Sequence, residues 1–558
     1  MSTEKAEAKA SLEKVSDSQL SEHFDFGGES TLPPPPTLTA EEERKLWRKI
    51  DLRLMPILSL LYLSSFLDRG ALKTWNIGNA RLQGLETQLN LTGNKFNIAL
   101  TMYFIPYCIF ECPANMVLKR FLPSRWLPGL TVLWGVIMVL MGLVKTYPQL
   151  VGTRILLGVA EAGLFPGVVY YLTLWYPRHM LQWRIGLFFG AASLAGAFGG
   201  ALAFGISFMS GTRGLLGWSW IFILEGSATV IVGIVAFFVL VDFPATAGFL
   251  TPEQRSYVVW RKKYDNSSVG EEEKFEFRHV VEALTDWQTW LHMFIYMAII
   301  TNRESFNDLV DIIDAWLFIS LWDYLIFAND HHHASLTSKT SFSLADASTF
   351  SFGHSAAVSQ LLTVPPYVLA TIVLFIFAAW SDRIKIRFPF ILAGFICNLI
   401  GFSINISNAP AGTTNFSSAF ADLITGLGVK YFGTFFCVTG AYAGVPGVVA
   451  WLGANLSGQY KRGVGMAWQI GIGHFGGAFA SNMYRTQDKP RYLVGHGCEL
   501  MFVGIGLIAT TLTALISYRI NCRRDEAART AVERGESPLS DKELRAMGDR
   551  APDFRYML

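Results

Sequence analysis

QLVGTRILLGVAEAGLFPGVVYY, residues 149–171, is long enough to cross a bilayer, yet it carries two charges, Arg154 and Glu161. A helix needs about twenty apolar residues to cross roughly 30 Å of hydrocarbon. A charge at the centre of that layer costs roughly 3 kcal/mol or more, so each of the two needs a reason to be there. Seven residues separate them, about two helical turns, which puts them on one face. There they can neutralise each other in a dry helix, or titrate against each other when a proton or substrate arrives. They can also do no more than hold helices together.

Similar apolar blocks lie on either side. They fall at about 52–68, 96–117, 127–145, 186–208 and 218–241, and again at 288–300, 361–380, 389–405, 431–453, 463–482 and 499–518. Between the two groups, 242–287 is polar and carries Arg255, Arg261, Lys262, Lys263 and the run Glu271, Glu272, Glu273. This pattern predicts an all-α membrane protein of about twelve transmembrane helices in two six-helix halves, 46–241 and 288–520, joined by a cytosolic linker. Residues 1–45, polar and bearing Pro33 to Pro36, read as a disordered cytosolic tail with no cleavable signal peptide, and 521–558 as a second cytosolic tail.

Composition agrees. Hydrophobic residues make up 51% and charged residues 16%, with a mean hydropathy of +0.33, and a soluble chain of this length needs more charge to cover its surface. A net charge of +2 gives no reason to expect a nucleic-acid partner. Cys108 and Cys112 stand one helical turn apart, but in an apolar stretch they read as small hydrophobes rather than metal ligands.

Basic residues set the orientation. Arg44, Lys45, Arg48, Lys49 and Arg53 precede the first span, Lys119, Arg120 and Arg125 follow the second, and Arg178 and Arg184 the fourth. Arg383, Lys385 and Arg387, then Lys461 and Arg462, then Arg519, Arg523 and Arg524 continue the alternation. By the positive-inside rule both termini are cytosolic, and the number of spans is even. The expected location is the plasma membrane.

Other polar groups interrupt the spans. Asp68 and Arg69 end the first, and Glu111 and Glu225 read as lying toward loop ends. His474 sits in a glycine-rich helix, where a lone histidine is more often a packing residue. Glu111, His474 and Gln469 are nevertheless candidates for a gate or pocket. Glycines crowd the fifth span (Gly186, Gly190, Gly196, Gly199, Gly200, Gly205) and the eleventh (Gly463, Gly465, Gly471, Gly473, Gly476, Gly477). Matched glycine-rich segments mark helices that bend or slide in alternating access, and dense packing explains them equally. No phosphate loop, nucleophile elbow or metal spacing stands out. The expectation is a monomeric carrier rather than an enzyme, without cofactor or metal, driven by an ion gradient rather than by nucleotide hydrolysis.

The order of short motifs resembles the major facilitator superfamily, and within it the fungal anion:cation symporters related to allantoate and nicotinate permeases. The matching segments are Leu67-Asp68-Arg69, Asn76-Ile77-Gly78-Asn79-Ala80, Glu111-Cys112-Pro113-Ala114-Asn115, Arg154 to Pro166, Trp218-Ser219-Trp220-Ile221-Phe222, Asp242-Phe243-Pro244, Leu362 to Tyr367, Ser381-Asp382-Arg383, Tyr460-Lys461-Arg462 and Ser481 to Arg485. Together they cover most of 45–520. The resemblance implies proton-coupled symport of a small organic anion, a monocarboxylate or a vitamin such as nicotinate, pantothenate or allantoate. It implies Asp68 and Glu161 as proton acceptors, Arg69 as the group meeting the substrate carboxylate, and Arg154 as partner of Glu161 or of the anion. A non-transporting nutrient sensor on the same fold is the alternative.

Three stretches depart from that pattern. Gly70 to Trp75 is extra sequence, and 301–352 and 412–428 read as inserts, translated introns or misjoined exons. With its polar run starting at Thr301, the first insert is expected to truncate the seventh helix. It also holds His331, His332 and His333.

Overall fold

The computed structural model describes residues 38–70, 85–92, 95–118, 121–263, 277–304, 356–407, 432–480, 482–483, 493–534, 539, 543–544 and 547–558. The predicted inserts beyond residue 304, the histidine run, residues 1–37 and the Arg69 side chain lie outside the described residues.

Twelve long helical segments follow one another among the described residues. The first six are α1 (Ala40–Gly70), α2 (Lys95–Leu118), α3 (Pro123–Met141), α4 (Tyr147–Glu161, continuing after a break as Leu164–Trp175), α5 (Leu181–Ser207) and α6 (Gly217–Val239). Then come α7 over 287–304, α8 (Ala356–Ile384), α9 (Phe388–Ser407), α10 (Phe432–Asn455), α11 (Gln459–Gly473, continuing as Phe475–Ala480) and α12 (Leu493–Glu533). Two short helices, Pro252–Lys263 and Phe277–Thr285, fall in the polar stretch between α6 and α7. No strand occurs among the described residues.

Local chemistry sets several boundaries. At the start of α1, the Thr39 backbone N–H donates to Glu42 Oε2 at 2.8 Å, and Glu42 N–H donates back to Thr39 Oγ1 at 3.3 Å, a reciprocal capping box. Prolines open α3 and α4, where a missing N–H costs nothing. Eight helices, α1, α3, α4, α6, α8, α9, α10 and α12, are long and apolar enough to cross a membrane by length and composition. Their outward faces carry large apolar side chains such as Phe238, Ile508, Ile231 and Leu156, which water would not tolerate in such numbers but lipid does.

Two seams join the early helices to the late ones. Along α5 and α8, a Cβ at Gly190 would meet Phe375 at 2.6 Å and one at Gly186 would meet Ala378 at 3.0 Å. Along α2 and α11, a Cβ at Gly477 would strike the Phe104 ring at 2.5 Å. Glycine in both helices lets partners approach to backbone contact, the packing role foreseen for them.

The seams are bolted at the end of the bundle where α5 begins. Trp183 N–H donates to Asp382 Oδ2 at 2.7 Å, and Gln182 Oε1 accepts from Ser381 Oγ and Arg387 Nη1, both at 2.7 Å. Arg387 also pairs with Asp382. Residues 547–558, part of the stretch read as a second cytosolic tail, fold over this same end. Lys461 Nζ sits 2.6 Å from Asp286 Oδ2 and 2.8 Å from Asp549 Oδ1, all three buried. Trp451 Nε1 donates to the Met557 carbonyl at 2.7 Å, Arg524 Nη1 to that of Phe554 at 2.8 Å, and Arg178 stands 5.6 Å over the Phe554 ring.

A second departure from expectation concerns α7. The polar residues Thr301, Asn302, Arg303 and Glu304 do not leave the helix at Ile300, because their side chains turn inward: Thr301, Asn302 and Arg303 are buried.

Candidate functional site

Gly158 is the residue that builds the centre of the first six helices. A Cβ there would collide with the Tyr103 carbonyl oxygen and touch Pro106, so only glycine lets α4 press against α2. That contact carries Tyr103 to Glu161, where its hydroxyl donates to Oε2 at 2.6 Å. From α1, Ser65 Oγ donates to the other carboxyl oxygen, Oε1, also at 2.6 Å. The helix breaks at once beyond Glu161, over Ala162 and Gly163, before resuming at Leu164.

Arg154 shares the helix but not the partners. It is fully buried, no group among the described residues hydrogen-bonds any of its three guanidinium nitrogens, and its charge stands 5.9 Å over the Phe222 ring of α6. It makes no hydrogen-bonded pair with Glu161. The neutralising Arg154–Glu161 pair is therefore corrected: two hydroxyls from α1 and α2 take the carboxylate, and the guanidinium is left with its donors unused. A buried cation in that condition is costly until an anion reaches it.

Asp68 lies one turn beyond Ser65 and turns toward other helices. Its Oδ2 accepts from Trp134 Nε1 of α3 at 2.9 Å and from Thr229 Oγ1 of α6 at 2.7 Å, while Oδ1 has no partner. The residue is fully buried, which rules out an interfacial position in water. Close packing of α3 on α6 sets this up, since Gly226 and Gly135 each lie against the other's carbonyl.

The gate candidates separate. Glu111 is fully buried, not at a loop end, and His474 Nδ1 lies 3.3 Å from its Oε2. His474 Nε2 is 3.4 Å from the Tyr296 hydroxyl of α7, and its ring meets Tyr107 edge-on at 5.0 Å. Gln469 joins none of these: its amide reaches the carbonyls of Val448 at 3.3 Å and His292 at 3.5 Å.

Sequence reasoning missed two charged residues. Glu225 was placed near a loop end, but it is buried in the middle of α6, and counting from Gly217 would have put it there. Arg303 was assigned to an insert. It is 2% exposed, pairs with Glu304, and stands 6.0 Å over Phe66 of α1 and 5.9 Å over Phe189 of α5. A polar run looks the same in sequence whether it leaves a helix or lines its inner face.

Comparison with known proteins supplies the remaining findings. The family model described as Major Facilitator Superfamily matches residues 58–481. The MFS-type transporter cnsO of Penicillium expansum is 30% identical over 528 residues, 92% of this chain and 90% of that protein. The high-affinity nicotinic acid transporter of Saccharomyces cerevisiae is 29% identical over 517 residues, 92% of this chain and 85% of that protein. Among solved structures, that of the proton:xylose symporter XylE bound to 6-bromo-6-deoxy-D-glucose shares the fold at a TM-score of 0.51 and 16% identity, covering 82% of this chain and 94% of that one.

Proposed function

Since the chain belongs to the Major Facilitator Superfamily and is a multi-pass membrane carrier rather than an enzyme, we propose that it performs proton-coupled symport of a small organic anion, a monocarboxylate of the nicotinate kind. The observation carrying this reading is Arg154, a fully buried guanidinium whose three nitrogens have no hydrogen-bond partner. A planar guanidinium binds a carboxylate through two parallel N–H···O bonds, and in a dry site that pairing is far more favourable than leaving the cation alone. Nicotinate enters because one relative is named as a nicotinic acid transporter.

In this reading Asp68 and Glu161 are the proton acceptors and Arg154 the anion receptor, with Arg69 a second receptor at the end of α1. Glu111 and His474 form the gate at the α2–α11 seam. Protonation from outside, anion binding, rocking of the two six-helix halves and release to the cytosol complete the cycle, driven by the proton gradient without a cofactor. The end carrying Arg178, Arg387 and Arg524 faces the cytosol, both termini with it, in the plasma membrane, and one chain is the working unit.

The test is uptake of labelled nicotinate and a panel of other small acids at acidic and neutral pH, in yeast lacking its own carriers. Wild type should accumulate one acid faster at acidic pH. Arg154→Ala, losing a charged bidentate contact worth about 3 kcal/mol, should lose about a hundredfold in apparent affinity. A chain that reaches the cell surface and takes up none of the panel would instead be a sensor.

A further inference from the structure

Glu225 has no part in the cycle just described, yet it is the most isolated carboxyl of the first six helices. It is 5% exposed, and neither carboxyl oxygen has a hydrogen-bond partner. One turn further along the same face of α6, Thr229 gives its hydroxyl to Asp68 at 2.7 Å. Asp68 in turn keeps one oxygen, Oδ1, without a partner. Asp68, half-satisfied, thus contacts the face of α6 one turn from Glu225, whose carboxyl has no hydrogen-bond partner among the described residues.

Among the described residues no cation is bound to either acid. From α1 the titratable groups are Asp68 and the adjacent Arg69, whose side chain lies outside the described residues, and beyond them Glu161 of α4, already held by Ser65 and Tyr103. Arg154 of α4 lies over Phe222, one turn before Glu225, and hydrogen-bonds neither acid. On α3, which packs along α6, the titratable residue is Arg125 in the first turn; on α5 it is Arg184, committed to Asp51 at 2.9 Å.

An ionised carboxylate without a donor in such a place costs several kcal/mol, and two neighbouring acids resist ionising together. A carboxylic acid in the same place costs far less. We propose that Glu225 and Asp68 work as a carboxyl pair that holds the transported proton between them, Glu225 carrying it whenever Asp68 is ionised. In the exchange one O–H bond on the Glu225 carboxyl breaks and one on the Asp68 carboxylate forms, so the charge of the pair is unchanged. Net loading or unloading then takes one proton from, or gives one to, the water on the open side. This inference rests on the symport reading and adds a third proton-bearing residue to it, beside Asp68 and Glu161.

The experiment combines Glu225→Gln, which imitates the protonated acid and cannot ionise, with Glu225→Asp. Reconstituted protein is assayed with labelled nicotinate in two modes, accumulation driven by a pH gradient and counterflow at equal pH. Glu225→Gln should lose gradient-driven accumulation and its acid dependence while counterflow persists, and Glu225→Asp should restore part of the pH dependence. Wild type that accumulates nicotinate while Glu225→Gln keeps the wild-type pH profile would overturn the pair and leave symport standing. Wild type that ignores the pH gradient would instead remove the symport reading. A substrate-free readout covers that case and any variant inactive in both modes. Infrared difference spectra of the purified protein between acid and alkaline pH should show a buried carboxylic-acid band that Glu225→Gln lacks, and an identical band in both proteins sinks the proposal.

Discussion

Glu111 of α2 and His474 of α11 meet at 3.3 Å although 363 residues separate them, and both are buried. The imidazole sits between two helices: Nδ1 faces the carboxyl of Glu111, and Nε2 faces the Tyr296 hydroxyl of α7. If Glu111 is ionised, Nδ1–H donates to it and Nε2 accepts from Tyr296, which satisfies both ring nitrogens at once. A Cβ at Gly471 would lie 3.4 Å from Glu111 Cβ, so the glycine-rich face of α11 allows the two helices to close on this contact. The α2–α11 seam between early and late helices therefore has a polar latch.

Removing both sides of that latch should cost less than the two single losses added together. His474→Ala strips Glu111 of this partner in a dry interior, a change worth about 1–3 kcal/mol. The Glu111→Ala, His474→Ala double variant should be less damaged than the two single effects summed, with a coupling of about 1 kcal/mol. Thermal unfolding of the four proteins in detergent measures it. Additive effects would mean that the contact is incidental.

Gly158→Ala is predicted to be severe and Gly152→Ala mild, though both lie on the same helix. A Cβ at Gly158 runs into the Tyr103 backbone, whereas one at Gly152 meets nothing within 4 Å. Overpacking of this kind costs about 1–3 kcal/mol, and it would also displace the Tyr103 hydroxyl from Glu161. Comparing melting temperature and uptake for the pair separates this close approach from a general intolerance of alanine in α4.

Tyr103→Phe tests how Arg154 and Glu161 are kept apart. The variant keeps the ring and removes one of the two hydroxyls that hold Glu161. A carboxylate short of a donor gains by turning to the nearby guanidinium, and that competes with an incoming anion. The expected outcome is a higher KM for the transported acid with a smaller change in maximal rate. An unchanged KM would argue against competition for Arg154.

Docking of residues 547–558 depends on Phe554 and Tyr556, which are 0% and 6% exposed, in a small cluster with Ala551. Truncating a buried aromatic costs about 3–5 kcal/mol, more than a segment held by a few hydrogen bonds can lose and stay bound. Phe554→Ala with Tyr556→Ala should make Arg550 and Arg555 readily cleaved by trypsin while the helices stay intact. Resistance equal to wild type would mean that the polar clasp around Lys461 and Asp549 holds the segment alone.

Much of this protein can be read from its sequence because hydropathy is a local property. Every one of the twelve apolar blocks corresponds to a helix, and the charged residues singled out within them, Asp68, Glu111, Arg154 and Glu161, are all buried. The failures fall where local polarity was asked to report position. The run from Thr301 to Glu304 looked like the end of α7, and Glu111 and Glu225 looked like residues near loops. A polar side chain carries the same letter whether it faces water or the inside of a bundle.

What the sequence by itself determined is the class of protein, the order of its long helices, and that Asp68, Arg154 and Glu161 interrupt its apolar blocks. Only the tertiary structure decided what each of those residues touches. Glu161 takes its donors from 96 and 58 residues away, and Asp68 from 66 and 161. Such partners are chosen by how closely helices pack, through residues like Gly158 and Gly226, and no pattern along one helix records the neighbour it will meet. Spacing could place Arg154 and Glu161 on one face; only the arrival of Ser65 and Tyr103 determined that the carboxylate would find its donors there and the guanidinium stay without a hydrogen-bond partner among the described residues.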